Sequence, residues 1–117
     1  MNNLEKINAL LAKEGRTIVY GEPESVTAET VVSLSLGDGD EALSALGDSA
    51  RTTYTTVEIT VYASDFLAGY DLLLAIRSEI AAAVKSTVGI VFKRFLASKY
   101  DAALARHILN SQYKIIE

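Results

Sequence analysis

The first apolar positions of the chain, Leu4, Ile7, Leu10 and Leu11, recur at helical spacing, and Gly15 stands where a left-handed residue would end a helix. A short N-terminal helix is predicted. Arg16 to Tyr20 is a β-prone run closed by Gly21-Glu22-Pro23, whose proline cannot continue a ladder. Glu29 to Leu36 alternates, with Val32, Leu34 and Leu36 on one face and Ser33 and Ser35 on the other, the pattern of a half-buried strand. From Gly37 to Arg51 glycines and acids interrupt every long periodicity, although Ala42 to Leu46 has room for one helical turn. This stretch reads as a long mobile loop and as the best local candidate for a partner contact, through Asp38, Asp40, Glu41, Leu43 and Leu46.

Thr52 to Ala63 is the clearest strand: Val57, Ile59 and Val61 alternate with Thr56, Glu58, Thr60 and Tyr62, so one face is core and the other wet. Ser64 or Asp65 then caps a long helix that runs to Val84. Its apolar stripe is Phe66 or Leu67, Tyr70, Leu73 or Leu74, Arg77 as the one charged member, Ile80 or Ala81, and Val84. Gly69 costs this helix about 1 kcal/mol, which the burial of four or five large side chains outweighs. Leu72 and Ile76 lie off the stripe and predict a second apolar surface for a neighbouring subunit. Ile90 to Leu96 and Ala105 to Ile116 form a closing hairpin around a turn region at Lys99-Tyr100-Asp101, although Val91, Phe92, Phe95 and Leu96 spoil its alternation and Asp101 to Leu109 also allows a helical start. The fold class is α+β, in the order α-β-β-β-α-β-β: a mostly antiparallel sheet of about five strands, a long helix on one face and a short N-terminal helix. No repeat, linker or low-complexity tract divides residues 1–117, which read as one domain.

Composition narrows the function more than the fold. The chain has 117 residues, half of them hydrophobic, and no cysteine, so it can hold a core without staples and cannot build a disulfide framework or a thiolate zinc site. No apolar run approaches the roughly 18 residues of a membrane span, and Met1 to Lys13 is amphipathic and unlike a signal peptide; a soluble, unprocessed chain is expected. The net charge of −4 and the scatter of the basic residues, with only Lys93-Arg94 adjacent, argue against a protein that grips nucleic acid.

Catalytic chemistry is searched for and not found. The single histidine, His107, is flanked by Arg106 and apolar residues and reads as structural or surface, and no serine sits in a G-x-S-x-G elbow. Gly37-Asp38-Gly39-Asp40-Glu41-Ala42 matches a dinucleotide fingerprint in form only, because its three carboxylates would repel a pyrophosphate. The acids Asp38, Asp40, Glu41 and Asp48 lack the ligand spacing of a calcium loop and read as a solvated loop. No enzyme, cofactor or metal site is expected. Tyr62, at the end of its strand, and Tyr100, in the turn region, are the tyrosines most exposed by pattern and the ones suited to an interface.

The order helix, three strands, long helix, two strands, with Thr53-Tyr54-Thr55-Thr56-Val57-Glu58-Ile59-Thr60-Val61-Tyr62-Ala63-Ser64 running into Tyr70-Asp71-Leu72-Leu73-Leu74-Ala75-Ile76, resembles the tail terminator and minor-capsid proteins of long-tailed bacteriophages. The resemblance implies a non-catalytic structural virion protein that forms a homo-oligomeric, hexameric ring at the tail-to-head junction after assembly in the host cytoplasm. Its implied partners are the tail tube protein and a head-completion or connector protein, with DNA passing through the centre unbound and no membrane involved. This chain departs from the family pattern in its Gly37 to Arg51 insertion and in lacking a Gly or Pro turn before its last strand. Competing readings are another head-tail neck component, a small ligand-binding or regulatory module, which needs a pocket with convergent polar groups, and a small enzyme built on a carboxylate pair.

Overall fold

A computed structural model describes residues 3–37, 41–42, 52–83, 89–96 and 98–116. The elements are α1 (Asn3–Leu11), β1 (Ile18–Tyr20), β2 (Thr30–Leu36), β3 (Glu41–Ala42), β4 (Thr52–Ala63), α2 (Phe66–Ala83), β5 (Gly89–Phe95), β6 (Lys99–Asp101) and β7 (Arg106–Ile116). The sheet runs β1-β2-β4-β7-β5, with β3 beside β4 and β6 beside β7. β1 pairs in parallel with β2, and every other pairing is antiparallel. The expected α+β class, with both helices and a mostly antiparallel sheet, is the class observed.

β2 and β3 both pair with β4, Leu36 opposite Val57 and Glu41 opposite Thr53. Within the expected loop Glu41–Ala42 is a short strand paired with β4, and of the helical turn allowed for at Ala42 to Leu46 all but Ala42 lies outside the described residues. Asp38, Asp40, Leu43 and Leu46 lie outside the described residues. On the far edge β5 and β6 follow one another along β7. The expected turn region at Lys99-Tyr100-Asp101 is thus a short strand, and the turn falls at 102–105, where Asp101 Oδ1 accepts from Leu104 N at 3.1 Å and Ala105 takes a positive φ of 53°. Between Phe92 and Arg94 the register with β7 slips by one residue. That bulge explains the poor alternation of the segment, because it returns Phe95 to the face of Phe92.

Both helices cover one face of the sheet, α1 over β2 and α2 over β4, β7 and β5. The core between these layers holds Ile7 and Leu11 of α1, Val32 and Leu34 of β2, Val57, Ile59 and Val61 of β4, Leu73, Ile76 and Ile80 of α2, and Leu109, Tyr113 and Ile115 of β7. α2 begins where Asp65 Oδ2 accepts from Ala68 N at 3.0 Å, the predicted cap. Its buried residues are Gly69, Leu73, Ile76 and Ile80. The expected stripe is therefore turned: Gly69 and Ile76 replace Tyr70 and Arg77, which are exposed, while Leu74 is only half-buried. The cause is Gly69. A Cβ there would lie 2.8 Å from Ala63 Cβ and 3.0 Å from Leu109 Cδ1, so the bare backbone lets the helix settle onto β4 and β7 along that line.

The opposite face of the sheet carries polar side chains, yet it is not the wet face expected for β4: Ser33, Thr56, Thr60, Tyr62 and Gln112 are buried. Central strands and cross-strand contacts account for this. Arg94 Nε donates to Gln112 Oε1 at 2.9 Å and Gln112 Nε2 donates to Glu58 Oε1 at 3.1 Å, a chain of hydrogen bonds across three strands. A second polar tie joins the helices. Arg16 reaches Glu79 by two hydrogen bonds of 2.8 and 3.0 Å and donates to the Leu11 carbonyl at the end of α1 at 2.7 Å, and Lys13 adds a contact of 3.0 Å to Glu79.

Candidate interaction surface

The cap at Asp65 fixes where α2 starts, and its first two turns expose Phe66, Leu67 and Tyr70. Phe66 and Tyr70, four residues apart, stack with ring centroids 6.3 Å apart. The edge of Phe66 also meets His107 on β7 at 5.7 Å, and His107 meets Tyr100 on β6 at 4.9 Å. On β5 the bulge brings Phe92 and Phe95 within 4.8 Å, and the Arg77 guanidinium of α2 lies 4.1 Å above the Phe92 ring and 5.8 Å from that of Phe95. Between these two aromatic groups α2 and the end of β5 leave a cleft of about 150 Å³, lined chiefly by Phe66, Tyr70, Leu73, Phe95, Leu96 and Leu109.

Among the described residues, five of the seven large apolar side chains that stand exposed, Phe66, Leu67, Tyr70, Phe95 and Tyr100, belong to this end of the molecule; the other two, Tyr20 and Leu36, lie toward the β1 edge. Aromatic rings gathered around an apolar cleft, Tyr70 and Tyr100 among them with polar tips, suit contact with another protein surface. Acid-base chemistry is poorly served there: His107 is wedged between two rings, and among the described residues no group of three His, Cys, Asp or Glu is placed to hold a metal ion. No helix among them is long and apolar enough to cross a membrane.

A second concavity, about 260 Å³, lies on the polar sheet face between Glu22, Ser33, Glu58, Thr60, Tyr62 and Lys99. Burial raises the pKa of the Tyr62 hydroxyl, and the negative charges of Glu22 and Asp101 push it further the same way. Two of its side chains already have partners, since Ser33 Oγ donates to the Gly21 carbonyl and Gln112 holds Glu58, whereas Asn110 Oδ1, which lines the same concavity, is buried without one.

Of the interface residues expected from the sequence, the structure brings Tyr100 alone, among those described, into the aromatic surface. Tyr62 is buried on the polar face, Leu72 packs half-buried against the core, and Ile76 is wholly buried within it. The separate outer stripe expected at Leu72 and Ile76 is corrected: the helix turns that side inward, and its surplus apolar surface lies at Phe66, Leu67 and Tyr70. The Glu41 side chain lies outside the described residues, though its backbone pairs with Thr53. The sequence reading missed Phe66, Leu67, Tyr70 and Phe95. The signal for the first three was present, because the set Gly69, Leu73, Ile76 and Ile80 is as regular as the stripe chosen, and it leaves all three outside.

No protein-family description matches this chain, and no curated protein matches its sequence. Among solved structures, one chain in the virion of a native gene transfer agent particle aligns over 94% of this chain and 82% of its own length, with a TM-score of 0.45 and 19% sequence identity.

Proposed function

We propose that this chain is a structural virion protein, a ring-forming tail terminator that joins a phage tail tube to the head connector and lets DNA pass through its centre. The observation that carries the reading is the exposed aromatic surface at the start of α2, a protein-contact chemistry on a domain with the element order expected of that family. In this role the two-layer core is the rigid body of each subunit, and the exposed surfaces make contact with other copies, with the tube protein and with the connector. The negative net charge suits a channel wall that DNA slides past without binding. The polar concavity is the feature that favours a ligand-binding module instead, but the exposed aromatic surface is the larger unpartnered feature, and self-assembly is the stronger reading.

Native mass spectrometry and electron microscopy of the chain, alone and mixed with assembled tail tubes, test the proposal. Closed rings are expected, free or on one end of the tubes. A chain that stays monomeric in both conditions and leaves tube ends bare overturns it.

A further inference from the structure

The charges of this chain are sorted along the sequence in a way its modest net charge conceals. Residues 17–50 contain seven aspartates and glutamates and no lysine or arginine, whereas residues 85–116 contain six lysines and arginines and one acid, Asp101. The fold turns this sorting into a spatial one. The first segment supplies β1 and β2, on one side of β4, and the second supplies β5, β6 and β7, on the other. Among the described residues Glu22, Glu24 and Glu29 are exposed around the β1 edge, and Arg94 and Lys99 are exposed on the β5-β6 edge.

Apolar groups accompany both sets of charge. Tyr20 is 52% and Leu36 61% exposed toward the acidic edge, and Phe95 and Tyr100 are 38% and 56% exposed on the basic one. By strand alternation and register all four belong to the helix-bearing face: Tyr20 is level with Leu34 and Leu36 with Val57, while Tyr100 is level with His107 and Phe95 with Ser111. Each edge is thus apolar on the helix side and charged toward the polar face, with opposite sign, and Glu22 and Lys99 both border the polar concavity there. A surface of that kind cannot pair with itself across a two-fold axis without bringing like charges together, but it complements the other edge of the same molecule.

We infer that copies of this chain join edge to edge and head to tail, the acidic β1-β2 edge of one packing against the basic β5-β6 edge of the next. The contact is heterologous, keeps every sheet facing the same way and closes into a ring if the rotation between neighbours allows. The inference rests on the self-assembly proposed above and names the surfaces that carry it. Selection of the correct edge falls to the charges, and the area removed from water falls to Tyr20, Leu36, Phe95 and Tyr100.

Charge reversal tests it, read by sedimentation velocity under whichever condition, free or on tail tubes, the unaltered chain assembles. One variant carries Glu22→Lys and Glu24→Lys, which turns the three exposed acids described at the first edge into two lysines and one acid; another carries Arg94→Gln and Lys99→Glu, which replaces the two exposed cations described at the second edge by one acid while the amide at 94 keeps a partner for Gln112. Each alone is expected to lose at least about tenfold in association, as like-charge juxtaposition predicts. An equimolar mixture of the two, and a chain with all four changes, are expected to recover it. Circular dichroism checks folding, and Lys99→Glu alone replaces the second variant if that one does not fold. Assembly indifferent to reversal, or lost without recovery in both the mixture and the fourfold variant, overturns the edge assignment and leaves the ring reading standing. An unaltered chain that assembles in neither condition overturns both.

Discussion

Gly69 and Ala105 are small residues whose places look interchangeable by composition and are opposite in physics. At Gly69 an alanine would gain up to about 1 kcal/mol of helix propensity. Its Cβ, however, would meet Ala63 Cβ at 2.8 Å, a contact that only backbone movement relieves. Gly69→Ala is therefore expected to destabilise the protein by about 1–3 kcal/mol, the usual cost of overpacking, measured by urea unfolding. Ala105 stands in the left-handed region at φ 53°, where an L side chain is strained and glycine is not. Ala105→Gly is expected to stabilise by about 1 kcal/mol in the same measurement. A stabilised Gly69→Ala or a destabilised Ala105→Gly would contradict the geometry at that position.

At the level of elements, α1 and α2 are joined by apolar packing and by the ion pairs that Arg16 and Lys13 make with Glu79. The Arg16 and Glu79 side chains are 10% and 19% exposed, and the hydrogen bonds from Arg16, aided by Lys13, hold the Glu79 carboxyl down at about 2 against an ordinary 4.5. A carboxyl depressed in the folded state contributes stability above its unfolded pKa and loses it as the pH falls through the folded value. Acidification from about pH 5 to about pH 2 is expected to remove about 1–2 kcal/mol from this pair, a figure reduced for its partial contact with solvent. Glu79→Gln lowers stability at neutral pH and flattens that part of the stability curve. A variant whose loss between pH 5 and 2 equals that of the unaltered protein would show that the pair contributes nothing to the acid response.

For the molecule as a whole, stability is concentrated in the middle of the sheet. β4 and β7 pair over ten positions, from Tyr54 with Ile116 to Ala63 with His107, and side chains from both of their faces are buried. The edges differ: β1 and β6 have three residues each and a neighbour on one side only. Amide hydrogen exchange is expected to be slowest at Val57 to Val61 and Leu109 to Tyr113, and faster by orders of magnitude at Ile18 to Tyr20 and Lys99 to Asp101. Self-association through the edges should slow exchange there as concentration rises, leaving the centre unchanged; uniform protection across the sheet would place the contact elsewhere. The same layout gives the charge sorting its meaning, because the exposed acids described around β1 and the exposed cations described on β5 and β6 flank opposite sides of β4.

The sequence by itself determined the local elements. Helical spacing in α1, alternation in β4 and the cap at Asp65 are set by neighbours a few residues away, and the α+β class follows from their order. It also contained the charge asymmetry in full. Tertiary structure decided which side of α2 faces inward, since two apolar stripes were equally regular and the close approach at Gly69 chose between them. It decided that the extra residue in β5 returns Phe95 to the face of Phe92, and that Lys99 to Asp101 forms a strand, because register is fixed by β7 and not by local pattern. The aromatic surface was hidden for the same reason: Phe66, Tyr70, Phe95, Tyr100 and His107 lie on four elements, and only the packing of α2 across β7 brings them to one end of the domain.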